Sequence, residues 1–187
     1  MNISPKQREE VDLAARLLAT LGHAQIAIEP SDRPDVFAQV GAMRIGIEVT
    51  QFHADEHAGA TGSSLRANEE RLSRQLPDQS YAQWGISNPN PALVARITDK
   101  IAASATYETS SYNQLWLLVS ASLPKLGAIG STFALSTFVN VEELNLSTHQ
   151  PLSNSSFSAV YLHILLSPAL FCWSREKKWH AINVQQA

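Results

Sequence analysis

The sequence predicts a single α/β domain with a mixed central sheet flanked by helices. Three observations lead there. An amphipathic helical repeat opens the chain, a pair of strands joined by a tight turn follows, and of two later runs Leu115 to Val119 is continuously apolar and Ala159 to Leu166 is apolar except for His163. Strands covered on both faces have such unbroken runs, whereas half-exposed strands alternate. The 187 residues suit one domain, taken as residues 1–187, and 44% apolar with 17% charged residues excludes a disordered chain.

Each element has its own signal. Ser4-Pro5 is a capping hydroxyl followed by a proline at the first turn, and Val11, Ala14, Ala15, Leu18 and Leu21 recur at helical spacing up to a stop at Gly22. A short extended piece covers Gln25 to Glu29, and Ser31-Asp32-Arg33-Pro34 makes a turn. Asp35 to Val40 and Arg44 to Phe52 are two strands of a hairpin turning near Gly41. Residues 53–63 form a loop, and Ser64 to Leu76 a charged helix ended by Pro77. The Asn88-Pro89-Asn90-Pro91 cluster leads into a helix over Ala92 to Ala105, with Leu93, Val94, Ile97 and Ile101 on one face. Leu123 to Leu135 fits no single pattern, and Val141 to Leu144 belongs to a short helix. Ala169 to Trp173 and Trp179 to Val184 close the chain as a hairpin.

The net charge is -3 and the isoelectric point about 6.0. A protein that grips nucleic acid over a broad surface carries a basic excess, because it must displace phosphate counterions. Here a nucleic-acid site has to be a local basic patch, or be completed by a metal ion, a second subunit in a homodimer or a partner protein. The lone Cys172 cannot form an internal disulfide or a cysteine-rich zinc site, and its apolar neighbours mark it as a buried residue. No signal peptide or membrane-length apolar run occurs, so a cytoplasmic protein without membrane contact is expected. Asn145-Leu-Ser147 and Asn154-Ser-Ser156 are then chance matches to the glycosylation pattern.

The chemistry concentrates between Arg33 and Gln51. Alternation puts Ile45, Ile47 and Val49 on one strand face, and Arg44, Gly46, Glu48 and Thr50 on the other. A glutamate within so apolar a strand is costly to bury unless paired, hydrogen-bonded or bound to a cation. Pairing through the turn at Gly41 brings Asp35 toward Glu48. A hard divalent cation relieves the repulsion between two such carboxylates, and it can also activate water beside a phosphate. The alternative is structural, with Asp35 capping the turn and Glu48 paired to Arg44 or another base.

These residues resemble the PD-(D/E)XK nuclease-like (restriction endonuclease-like) superfamily. Pro34-Asp35 matches its first element and Glu48-Val49-Thr50 its second, with Thr50 where the family has lysine. The order of helix, hairpin, helix and buried strand is similar over about residues 5–120, leaving residues 121–187 to complete the sheet. The resemblance implies a metal-dependent nuclease acting on DNA in preference to RNA. Asp35 and Glu48 would hold Mg²⁺ or Mn²⁺, Glu10 on the first helix would support the metal or the water, and the Thr50 carbonyl would complete the coordination. Glu10 is preferred to Glu9 because it shares a face with Ala14, Leu17 and Leu21. A threonine has no charge to offset the negative charge that develops in the reaction. Gln51, Lys100 and Arg44 are the candidate substitutes, and Lys100 is preferred, the alternative being a lysine on a solvated helix face. Without a substitute, the domain keeps a binding role and loses catalysis.

Other groups are weaker candidates. His53 and His57, four apart, would share a helical face as a zinc pair, but glycine-rich surroundings favour a loop. Arg66, Arg71 and Arg74 suit a solvated charged helix better than phosphate contacts. Arg175, Lys177 and Lys178 fall on the turn of the last hairpin. Trp84, Trp116, Trp173 and Trp179 are assigned to the core, and Tyr107 and Tyr112 border the central strand.

Overall fold

The first helix, α1 (Pro5–Thr20), starts where the sequence marks it. Ser4 accepts from the Gln7 backbone N–H at 3.2 Å while the Gln7 side chain accepts from the Ser4 N–H at 3.1 Å, a reciprocal cap. Past its end Gly22 takes φ +81°, a conformation that favours glycine. The computed structural model describes residues 3–23, 26–53, 90–122, 139–164 and 169–183. The expected helix from Ser64 to Leu76, the segment from Leu123 to Leu135, His57, Arg66, Arg71, Arg74 and Trp84 lie outside the described residues.

The remaining described elements are β1 (Ala27–Pro30), β2 (Val36–Val40), β3 (Met43–His53), α2 (Asn90–Ser104), β4 (Gln114–Ser122), α3 (Val141–Ser153), β5 (Ala159–Ile164), β6 (Ala169–Ser174) and β7 (Lys178–Asn183). A 3₁₀ turn at Thr109–Ser111 precedes β4. The strands form one seven-stranded sheet in sequence order. β1, β2 and β3 are antiparallel neighbours, β3, β4 and β5 run parallel, and β6 and β7 return antiparallel. β4 and β5, which run parallel near the middle of the sheet, carry largely apolar runs, as expected of strands covered on both faces.

Two cores sandwich the sheet. On one face α1 buries Leu13, Ala14, Leu17 and Leu18 against Ile45, Ile47, Val49, Trp116 and Leu118. On the other, Leu93 and Ile97 of α2 and Leu144 and Leu152 of α3 cover Phe52, Leu117, Val119, Leu162 and Trp173. Trp116, Trp173 and Trp179 are all buried, as is Cys172, whose thiol burial pushes up to about 11. That thiol stays protonated and unreactive at neutral pH.

The hairpin from β2 to β3 pairs Val40 with Met43 across Gly41 and Ala42, with Gly41 at φ +59°. A two-residue turn with glycine first matches the strand twist and fixes the register. One element departs from expectation. The short helix around Val141 to Leu144 runs on to Ser153, through Pro151. Asn140 caps it by accepting from the Glu142 and Glu143 N–H groups, both at 3.1 Å. Asn145 then ties it to β7, accepting from the Trp179 N–H at 2.7 Å. Tertiary burial of Leu144, Thr148 and Leu152 overrides the poor helix propensity of the polar residues between them.

Candidate functional site

β3 outlasts β2. The last pair between them is Val36 with Ile47, so Glu48 to His53 have β4 as their described sheet neighbour. Asp35, one residue before β2, therefore stands opposite Glu48, the next residue of β3. Its Oδ2 accepts from the Val49 N–H at 2.8 Å, filling the backbone position that β2 leaves vacant. The carboxylate pair follows from the register, which the turn at Gly41 sets.

The close approach of β2's leading turn also depends on Gly46. A Cβ there would come within 2.6 Å of Pro34 Cγ and 3.1 Å of Tyr112 Cδ1. Only glycine lets Pro34 lie flat against β3 and hold Asp35 beside Glu48.

Glu48 is 4% exposed, on the α2 side of the sheet. Lys100 of α2 donates from Nζ to its Oε1 at 2.6 Å, with the lysine itself partly buried. Tyr107, just beyond α2, directs its hydroxyl at the same carboxylate. Burial first, and Glu48 second, raise the phenol well above its ordinary range, so it remains a proton donor. Arg44 does not partner Glu48. It pairs with Glu29 at 2.6 Å and lies over the Phe37 ring at 4.2 Å.

Asp35 has the clearest electrostatic signature. Its carboxyl is pushed up to about 6, chiefly by burial and next by the Glu48 charge, against the opposing Val49 hydrogen bond. Glu10 adds to the upward push and Lys100 opposes it. Glu10 is buried on α1 and paired with Lys6 at 3.1 Å. The Lys6 amine is raised, first by its hydrogen bond to Glu10, with smaller attraction from Asp35 and Glu48.

The fold thus brings Asp35, Glu48 and Lys100 together, with Glu10 within electrostatic reach. Thr50 is buried on the same strand face as Glu48. Gln51 points to the opposite face, where its amide donates to Glu9 at 2.6 Å, which places it away from Glu48. Compared with known proteins, the chain matches no family model, no curated protein and no solved structure.

Among the described residues, no group of three or more histidine, cysteine, aspartate and glutamate side chains converges as a metal site. A closed zinc site of protein ligands is not what these residues form. Mg²⁺ asks for less: it takes one or two carboxylates and completes its shell with water and substrate oxygens. Asp35 and Glu48, opposite one another in register, with the Asp35 carboxyl raised first by burial and then by the Glu48 charge, supply the two carboxylates such a site takes. For two residues of this neighbourhood the sequence reading gave a place but no role. Tyr107 lies seven residues after Lys100, two helical turns on, but beyond the helix end. Arg33 was absorbed into a turn.

Among the described residues, no helix is long and apolar enough to cross a membrane.

Proposed function

We propose that this chain is a metal-dependent phosphodiesterase of nucleic acid, with DNA as the favoured substrate, built on a PD-(D/E)XK-like core. The observation that carries the reading is the cluster of Asp35, Glu48 and Lys100 midway along β3, where its pairing with β2 stops. The order of α1, three antiparallel strands, α2 and a parallel β4 supports it.

Asp35 and Glu48 would hold Mg²⁺ or Mn²⁺, which supplies a positive charge at the scissile phosphate and a more acidic water. Asp35 must be ionised to do so, and above about pH 6 it is. Lys100, delivered by α2, provides the cation that Thr50 cannot, positioned to orient water and offset charge on the phosphate. The Val49 N–H holds the Asp35 carboxylate and the Lys100 amine holds that of Glu48. In the reaction the water oxygen bonds to phosphorus and the ester bond breaks. The proton lost by water balances the one gained by the leaving oxygen.

A second reading has its own support. Lys100 already neutralises Glu48, and the net charge is -3. Those facts favour a domain that binds a protein, or nucleic acid only through a local patch, without cleaving. One experiment separates the two. Purified protein with Mg²⁺ or Mn²⁺ is incubated with single- and double-stranded DNA and with RNA, beside Asp35→Ala and Glu48→Ala. The nuclease reading predicts cleavage by the wild type alone. Equal traces in all three proteins would come from a contaminant and defeat it.

A further inference from the structure

We propose that Arg33 is the anion-binding residue of this site, its guanidinium holding one backbone phosphate of a single nucleic-acid strand beside Asp35. The inference rests on the reading of Asp35 and Glu48 as the centre of a phosphodiesterase. Arg33 lines a cleft of about 750 Å³, together with Asp32, Phe37, Thr106 and Glu108 among others. Such a volume is in the range of small-molecule sites and suits a stretch of unpaired strand. The lining includes Arg33, two residues before Asp35, and Thr106 and Glu108, the chain neighbours of Tyr107.

The assignment follows by elimination among the cations around the carboxylates. Lys100 is held by Glu48, Lys6 by Glu10, and Arg44 by Glu29 and Phe37. Arg33 is exposed, and among the described residues it has no ion pair. It lies near enough to Tyr107 to act electrostatically on the phenol that meets Glu48. A planar guanidinium binds phosphate through paired N–H donors, a task for which arginine is better shaped than lysine. The cleft's own carboxylates, Asp32 and Glu108, limit it to that one phosphate. They suit the amino groups of bases, to which carboxylates accept hydrogen bonds.

The test measures binding of a fluorescein-labelled single-stranded oligodeoxynucleotide and of its duplex by anisotropy, with Ca²⁺ present and salt varied. Arg33→Ala is expected to weaken single-strand binding and make the slope of log K against log salt shallower by about 0.7, one phosphate's share. Arg33→Gln should do the same, Arg33→Lys should keep the slope, and Arg44→Ala should leave it unchanged. Circular dichroism establishes that each variant is folded. Wild-type slope and affinity in Arg33→Ala or Arg33→Gln overturns the proposal even if cleavage dependent on Asp35 and Glu48 persists. Binding of the duplex as tight as of the strand overturns its single-strand part. Wild-type protein that binds neither probe overturns it together with the nuclease reading.

Discussion

At the residue scale the site is two carboxylates with unequal surroundings. Glu48 has a cation at 2.6 Å, and Asp35 has a backbone N–H at 2.8 Å and, among the described residues, no cation within bonding distance. This asymmetry makes separate predictions. Asp35 binds its proton more tightly folded than unfolded, about 6 against 3.8. Its effect on stability is therefore most favourable below about pH 4 and is lost as the pH rises through about 6. Asp35→Asn keeps an oxygen for the Val49 N–H while removing the charge, so it should stabilise the metal-free protein at pH 7 by on the order of 1–3 kcal/mol. The gain should shrink toward zero at pH 4, and urea titrations at the two pH values measure it. An equal gain at both would show that Asp35 does not titrate in this window.

Lys100→Ala tests the other half. It strands a buried glutamate and should destabilise the fold by about 1–3 kcal/mol, the cost of a buried charged group without its partner. Glu48→Gln in the same background should recover most of that loss. A double-mutant cycle with no coupling between the two positions would mean that the pair is solvent-screened and incidental. The same Lys100→Ala change should lower any cleavage about a hundred-fold or more, the usual effect of losing one group that stabilises transition-state charge.

At the scale of elements, the hairpin from β2 to β3 was legible because its signals agree: Gly41 at the turn, alternation in Arg44 to Phe52, and Pro34 before the strand. Register then placed Asp35 opposite Glu48 without further assumption. The partners of other side chains were not legible, because pairing across elements depends on where helices dock. Arg44 went to Glu29 on β1 and Gln51 to Glu9 on α1, while Lys100 reached Glu48 from α2. The length of α3 was missed for a related reason, since packing of Leu144 and Leu152 outweighs local propensity. Gly46 ties the hairpin to the site. Gly46→Ala should cost about 1–3 kcal/mol through overpacking against Pro34. It should also weaken Mn²⁺ binding, because Pro34 carries Asp35 with it. Stability loss with unaltered Mn²⁺ affinity would separate the glycine from the site.

On the scale of the whole molecule, two hydrophobic layers fix a seven-stranded mixed sheet, and the functional cluster lies where one strand ends and its neighbour continues. The α/β class was readable from patterning alone, since the largely apolar runs of β4 and β5 mark strands buried on both faces between helical repeats. Function was less readable, because Pro34-Asp35 and Glu48-Val49-Thr50 are short and lack the lysine that gives the pattern its chemistry. The fold supplies a cation to the same carboxylate from a separate element, 52 residues away in the chain. An overall charge of -3 leaves little room for broad phosphate binding, so any nucleic-acid contact the proposed function requires has to be local.

The claim that Asp35 and Glu48 form one divalent-cation site is tested most directly by calorimetric titration of Mn²⁺ into the metal-free protein at pH 7.0 or above, where Asp35 is ionised. Wild-type protein should bind at a single site, and Asp35→Ala and Glu48→Ala should each abolish that binding while circular dichroism shows the fold intact. Mn²⁺ binding unchanged by both substitutions, or absent from the wild type, would contradict the account.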